Sequence, residues 1–173
     1  MNILLQAVFA ALFLGLLGLV FRGIKKAVSK TVNKKEIEIQ QGLSYDFGQE
    51  SLSEEVRVAL MKILTRIAES DGIMSNKVLS VWYVIYQILG LNSLKEKTME
   101  DLENKFDKYS DDEILEYLPD FNSVQKEWLV KAIIFIIESD QQVAQEKTNL
   151  IEQVLSKLGV TKEKYNEIKI KIE

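Results

Sequence analysis

The triplet Glu-Ser-Asp occurs twice in this chain, as Glu69-Ser70-Asp71 and Glu138-Ser139-Asp140, and Glu146 follows the second copy closely. Grouped carboxylates can do two quite different things. They can gather around a hard divalent cation such as calcium, which takes about six oxygen ligands, several of them charged. Glu69, Asp71, Glu138, Asp140 and Glu146 would converge on such an ion if the two triplets were related by a twofold axis. The other reading has Asp71 and Asp140 accepting backbone N–H bonds at helix connections while the glutamates stay solvated. Residue types alone leave both open.

Most other chemistry is bounded by composition. The chain has no His and no Cys, which removes zinc–thiolate centres, disulfides, thiol nucleophiles, Ser-His-Asp sets and imidazole acid–base catalysis. Carboxylates, Lys and Tyr remain, but no acid–base pair is assembled by motif, so no catalytic residues are assigned and an enzyme is not expected. A net charge of −4 carries no electrostatic footprint for nucleic acid.

The elements that position the triplets are helices. Val56, Ala59, Leu60, Ile63, Leu64 and Ile67 recur at helical spacing, with Ser51 and Glu54 placed as a capping box. Asp71-Gly72 breaks that run. Ser75 caps a second helix burying Val78, Val81, Trp82, Ile85 and Leu89, and Gly90 ends it. A gap-free shift of 69 positions repeats the whole unit: Leu60 falls on Leu129, Ile67 on Ile136 and Leu89-Gly90 on Leu158-Gly159. The two halves, about 54–91 and 123–160, form an internal repeat expected to pack as one bundle around a pseudo-twofold axis. The run Leu129-Val-Lys-Ala-Ile-Ile-Phe-Ile-Ile137 is apolar nearly all round and marks the central helix. Between the halves, Met99, Leu102 and Phe106 predict a short helix, and Ser110 with Glu113 caps another that Pro119 stops. Thr161 opens the last helix, through Tyr165, Ile168 and Ile172. No segment reads as a strand, so the expected fold is all-α with about seven helices. Trp82, Tyr83 and Tyr86 could form an exposed aromatic contact, although helical spacing puts Trp82 in the core.

The leading residues differ in kind. Ile3 to Phe21 is apolar apart from Gln6, and a helix of that length reaches about 28 Å, close to a bilayer core. A cleaved signal peptide would want a charged start and a small-x-small site, whereas Met1-Asn2 carries no side-chain charge and Phe21-Arg22-Gly23 is a poor site. The expectation is therefore an uncleaved transmembrane helix over 1–22. Arg22, Lys25, Lys26, Lys30, Lys34 and Lys35 all follow the span. That predicts a single-pass inner (cytoplasmic) membrane protein, its N-terminus outside and its C-terminal domain cytoplasmic. Residues 23–50 read as a basic juxtamembrane segment and linker, with Gln41 to Ser51 lacking any sustained period. Ile24, Ala27, Val28 and Val32 fit a helix lying on anionic headgroups, and the pattern fits a solvated basic linker equally well. Ala7, Ala11 and Gly15 are spaced by four, which would let two spans pack closely as a homodimer.

An apolar helix closing on Ala68-Glu-Ser-Asp-Gly72, followed by a helix ending Leu89-Gly-Leu91, resembles the TerB-like family, which is associated with tellurite resistance. The resemblance covers roughly 54–173, within a helical domain over 51–173. It implies an all-helical fold of two related halves, also used as the cytoplasmic domain of membrane-anchored DjlA-type co-chaperones. This chain has no J-domain, and without His it cannot carry that domain's His-Pro-Asp motif. The family corner, which can hold a divalent metal, reads Asp-Gly with a Glu seven residues after the Asp. Asp71-Gly72 matches, but Val78 stands at the Glu position. In the second copy Asp140 matches, Gln141 replaces Gly, and Lys147 stands at the Glu position with Glu146 beside it. The expected function is a membrane-anchored interaction or adaptor module with an unidentified protein partner, linked to envelope or toxic-ion stress. The alternative is a module that binds or senses a divalent cation, with no other cofactor.

Overall fold

The computed structural model describes residues 41–43, 52–69, 72, 74–140 and 145–172. The expectations for the transmembrane span, the basic juxtamembrane segment and the Ala7/Ala11/Gly15 face fall outside them. Among the described residues no helix is long and apolar enough to cross a membrane. By internal contacts the chain divides into one unit over Met1–Ile37 and a second over Glu38–Glu173.

The second unit is all-α, with no strand among its described residues. Seven α-helices are described: α1 (Glu54–Glu69), α2 (Asn76–Ile88), α3 (Glu96–Phe106), α4 (Asp111–Leu115), α5 (Ser123–Ser139), α6 (Gln145–Lys157) and α7 (Lys162–Ile172). A 3-10 turn, Leu91–Ser93, links α2 to α3.

Helix starts follow local chemistry. Ser53 Oγ, rather than the expected Ser51, accepts the Val56 N–H at the start of α1, 3.2 Å away; Ser51 lies outside the described residues. Ser75 caps α2 as expected. Reciprocal capping boxes open α4, through Ser110 and Glu113, and α5, through Asn122 and Gln125. Each satisfies N–H groups that the first helical turn leaves without partners. Thr161 Oγ1 accepts the Lys164 N–H at the start of α7.

The repeat read from sequence is present in the helix boundaries. Shifted by 69, α2 coincides with α6, and α1 with all but the last residue of α5. The caps repeat too. Leu89 donates to Ile85 O and Gly90 to Gln87 O, while Leu158 donates to Val154 O and Gly159 to Ser156 O. Both glycines are left-handed, at φ 65° and 64°, a conformation that costs any residue with a Cβ about 1–2 kcal/mol. The packing crosses between halves: α2 lies on α5 and α1 on α6, while α1 and α5 also meet. The α3–α4 insert covers α1, and α7 covers α5.

One core joins these helices. Leu60, Ile63, Leu64 and Ile67 of α1 meet Leu129, Ala132, Ile133 and Ile136 of α5, all fully buried. Helix α5 is buried on a second side as well, where Val130 and Ile134 meet Ile168 of α7, which explains its nearly unbroken apolar sequence.

The segment over 41–51, read as a linker, begins inside the fold. Residues 41–43 are helical, Leu43 is fully buried, and its carbonyl accepts the Trp128 Nε1–H at 3.0 Å. A Cβ built on Gly42 would stand 2.8 Å from Phe135 Cζ, so the backbone approaches α5 as closely as only glycine allows. The apolar Leu43 finds its place through a contact 85 residues away in sequence, which local periodicity does not register.

Candidate functional site

The carboxylates singled out from sequence have different fates. Asp71 lies outside the described residues, as does the side chain of Glu146. Glu69 and Glu138, at the C-terminal ends of α1 and α5, are exposed. Asp140 follows α5 directly and is partly buried. The Lys147 ammonium, fully buried on the first turns of α6, pairs with its Oδ2. Among the described residues no three carboxylates come together as a metal would require.

Lys147 is the residue that gives the second corner its character. The position equivalent to it in the first half is Val78, and both side chains are buried. The same core site therefore holds an isopropyl group in one half and an ammonium in the other. A buried ammonium is tolerated only with a charged or polar partner, and Asp140 supplies one. Any cation that bound through that carboxylate would share it with Lys147 or displace it.

The end of the first half is arranged differently. Lys62 of α1 forms an ion pair with Asp107 after α3. The pKa of Glu69 lies above the ordinary carboxylate value, chiefly because its carboxyl is partly desolvated. The charge of Lys62 opposes that rise and the charge of Asp107 adds to it. A carboxyl with a folded pKa above its unfolded one weakens the fold when ionised. The cost is present at neutral pH and disappears as pH falls below the unfolded value, about 4.3. Glu69→Gln is accordingly expected to raise the urea midpoint at pH 7 and to leave it unchanged near pH 3.5, in paired denaturation curves.

Two further polar constellations were not singled out from sequence. Three ion pairs run along α1 to the α3–α4 insert: Glu55–Lys105, Lys62–Asp107 and Arg66–Asp111. Arg66 also donates to the carbonyls of Phe106 and Tyr109. Around Lys105 stand three rings, with its Nζ 4.6 Å from the centre of Tyr117, 5.5 Å from Phe106 and 6.0 Å from Tyr109. Hydrogen bonds to Glu55 and then Tyr117 hold the Lys105 ammonium protonated above its usual range. Its hydrogen bonds with Tyr109 and then Lys105 lower the pKa of Tyr117. This aromatic cage is filled by the chain's own lysine: the cation–π contacts tie the insert together internally, and the Glu55–Lys105 pair fastens it to α1. No spacing rule links Glu55 to Lys105, so only the folded chain brings them together.

Trp82, expected in the core, is half-buried at its edge: the ring packs against the core and its Nε1–H donates to Thr65 Oγ1 at 2.8 Å. Its ring stacks on Tyr86, with centres 5.3 Å apart and planes at 18°. Tyr83 and Tyr86 are half-buried on the outer flank of α2.

Fold and site together define an all-α protein of two related helix pairs, with an ion pair built into one pair's turn. No family model, curated protein or solved structure matches the chain.

Proposed function

We infer that this chain is a membrane-tethered helical interaction module of TerB-like type, without enzymatic activity. The bundle would be held at the bilayer by residues 1–22 and would bind a protein partner there, in a response to envelope or toxic-ion stress. The observation that carries this reading is the division of the chain after Ile37. It separates the apolar and basic leading segment from a unit with a core of its own. The lack of His and Cys and the apolar run Ile3 to Phe21 with its one-sided positive charge support the same reading.

The TerB-like assignment is supported by the paired helix boundaries, the repeated glycine caps and the crossed packing of α2 on α5 and α1 on α6. A pseudo-twofold axis exchanging α1 with α5 and α2 with α6 carries one of these crossed contacts into the other. The stress and its chemistry come from the resemblance alone, as an associational warrant.

Deleting residues 1–35 tests the tether. The expected result is that the protein leaves the membrane fraction and loses the partners recovered with the full chain after detergent solubilisation. An unchanged location with unchanged partners would overturn it.

A further inference from the structure

The two halves differ most on the outside of their second helices, and the difference is one of charge. From Val78 to Leu94 the chain has no charged residue, whereas the stretch shifted by 69 contains Lys147, Glu152, Lys157, Lys162 and Glu163. On α6 the outer positions are Thr148, Asn149, Glu152 and Ser156, and the last three are exposed. That is what a helix facing water needs. The same positions on α2 are Leu79, Ser80, Tyr83 and Gln87, with the Trp82–Tyr86 stack alongside. Because the two helices share boundaries, C-terminal caps and a buried face, the second half serves as an internal control for the first. The fold does not require the outside of α2 to be aromatic and uncharged. Depletion of charge with enrichment of Tyr and Trp is the composition of an interface centre.

The border of this flank is acidic. Glu100 and Glu103 of α3 are exposed, and Glu103 acts electrostatically on Tyr86. Asp107 lies beyond them, paired with Lys62, whose charge also acts on Glu103, so acid outnumbers base three to one along this border. A second copy docking here would bring a second set of these carboxylates to the same interface, and an anionic bilayer would be repelled by them.

We propose that the outer flank of α2, formed by Leu79, Tyr83 and Tyr86, receives an amphipathic helix of a partner protein whose apolar stripe is bordered by lysines or arginines. The proposal rests on the interaction-module reading and names the surface and partner chemistry it would use. The rings supply rigid apolar area at low entropic cost, and the Glu100–Glu103 border selects the flanking charge.

The experiment places the photocrosslinker p-benzoylphenylalanine in the full-length chain in its own cells, at position 83, with positions 152 and 164 as controls. Thermal melts check folding, and the label moves to position 79 if the variant at 83 is unstable. The expected result is a protein adduct at 83 about tenfold stronger than at 152, the scale of a hot-spot difference. Mass spectrometry of that adduct should give a basic amphipathic segment, and Glu103→Lys should reduce it by about tenfold. An adduct with a second copy, with lipid or with an acidic segment overturns the proposal. So does a strong adduct at 152 or 164 with none at 83, which leaves the module reading standing. No protein adduct at any position sinks both.

Discussion

Replacing Asp140 with alanine is expected to destabilise the bundle by about 3–5 kcal/mol, the usual cost of breaking a buried ion pair by removing one partner. The size follows from the burial of Lys147, which is 0% exposed, while the Asp140 side chain is 13% exposed. With the carboxylate gone, Lys147 loses an ion partner in a core site that holds Val78 in the other half. The reverse change, Lys147→Met, should cost less, because the longer apolar side chain fits the core site and Asp140 can recruit water. The double variant Asp140→Asn with Lys147→Met should recover most of the loss. Urea denaturation followed by circular dichroism measures all three, and constant slopes would show that the unfolded states are comparable. A loss under about 1 kcal/mol for Asp140→Ala would mean that the ammonium finds water or another partner at once.

Trp128→Ala should cost about as much, roughly 3–5 kcal/mol, for loss of a large core ring and partial collapse around the cavity. Trp128 is 2% exposed. The change also leaves the buried Leu43 carbonyl without its indole donor. Trp128→Phe separates the two effects. It keeps most of the ring and should cost about 1–2 kcal/mol, largely the lost hydrogen bond. If the two substitutions cost the same in urea titration, the hydrogen bond rather than the ring holds residues 41–43 in place.

Much of this architecture was legible because its determinants are local. The apolar spacing of α1 and α5, the Ser75, Ser110 and Thr161 caps and the left-handed Gly90 and Gly159 are each set within a few residues. A gap-free repeat then carried one half's reading over to the other. Helix α5 was recognised as central because a helix covered on two sides cannot keep a polar face.

What escaped was decided by contacts between distant residues. Leu43 sits in a stretch with no period, and its burial depends on Trp128. Lys105 looks like any surface lysine until Glu55, Tyr109 and Tyr117 surround it. The acidic triplets were legible as a pair but not in their chemistry. Lys147 was visible as a departure from the family corner, and its pairing with Asp140 needed the first turn of α6 to lie beside the end of α5. Ser51 and Ser53 are both plausible caps by residue type, and the choice between them depends on where the first turn of α1 meets the core.

The close seating of Gly42 against Phe135, with the neighbouring Leu43 carbonyl bonded to Trp128, has a mechanical corollary. Tension arriving at residue 41 would be delivered to the innermost helix through the contacts of Gly42 and Leu43. Pulled from that end, the bundle should yield first at the Gly42–Leu43 latch, so that what the rest of the protein senses of a tug is set by the strength of one indole hydrogen bond and the ring packing beside it.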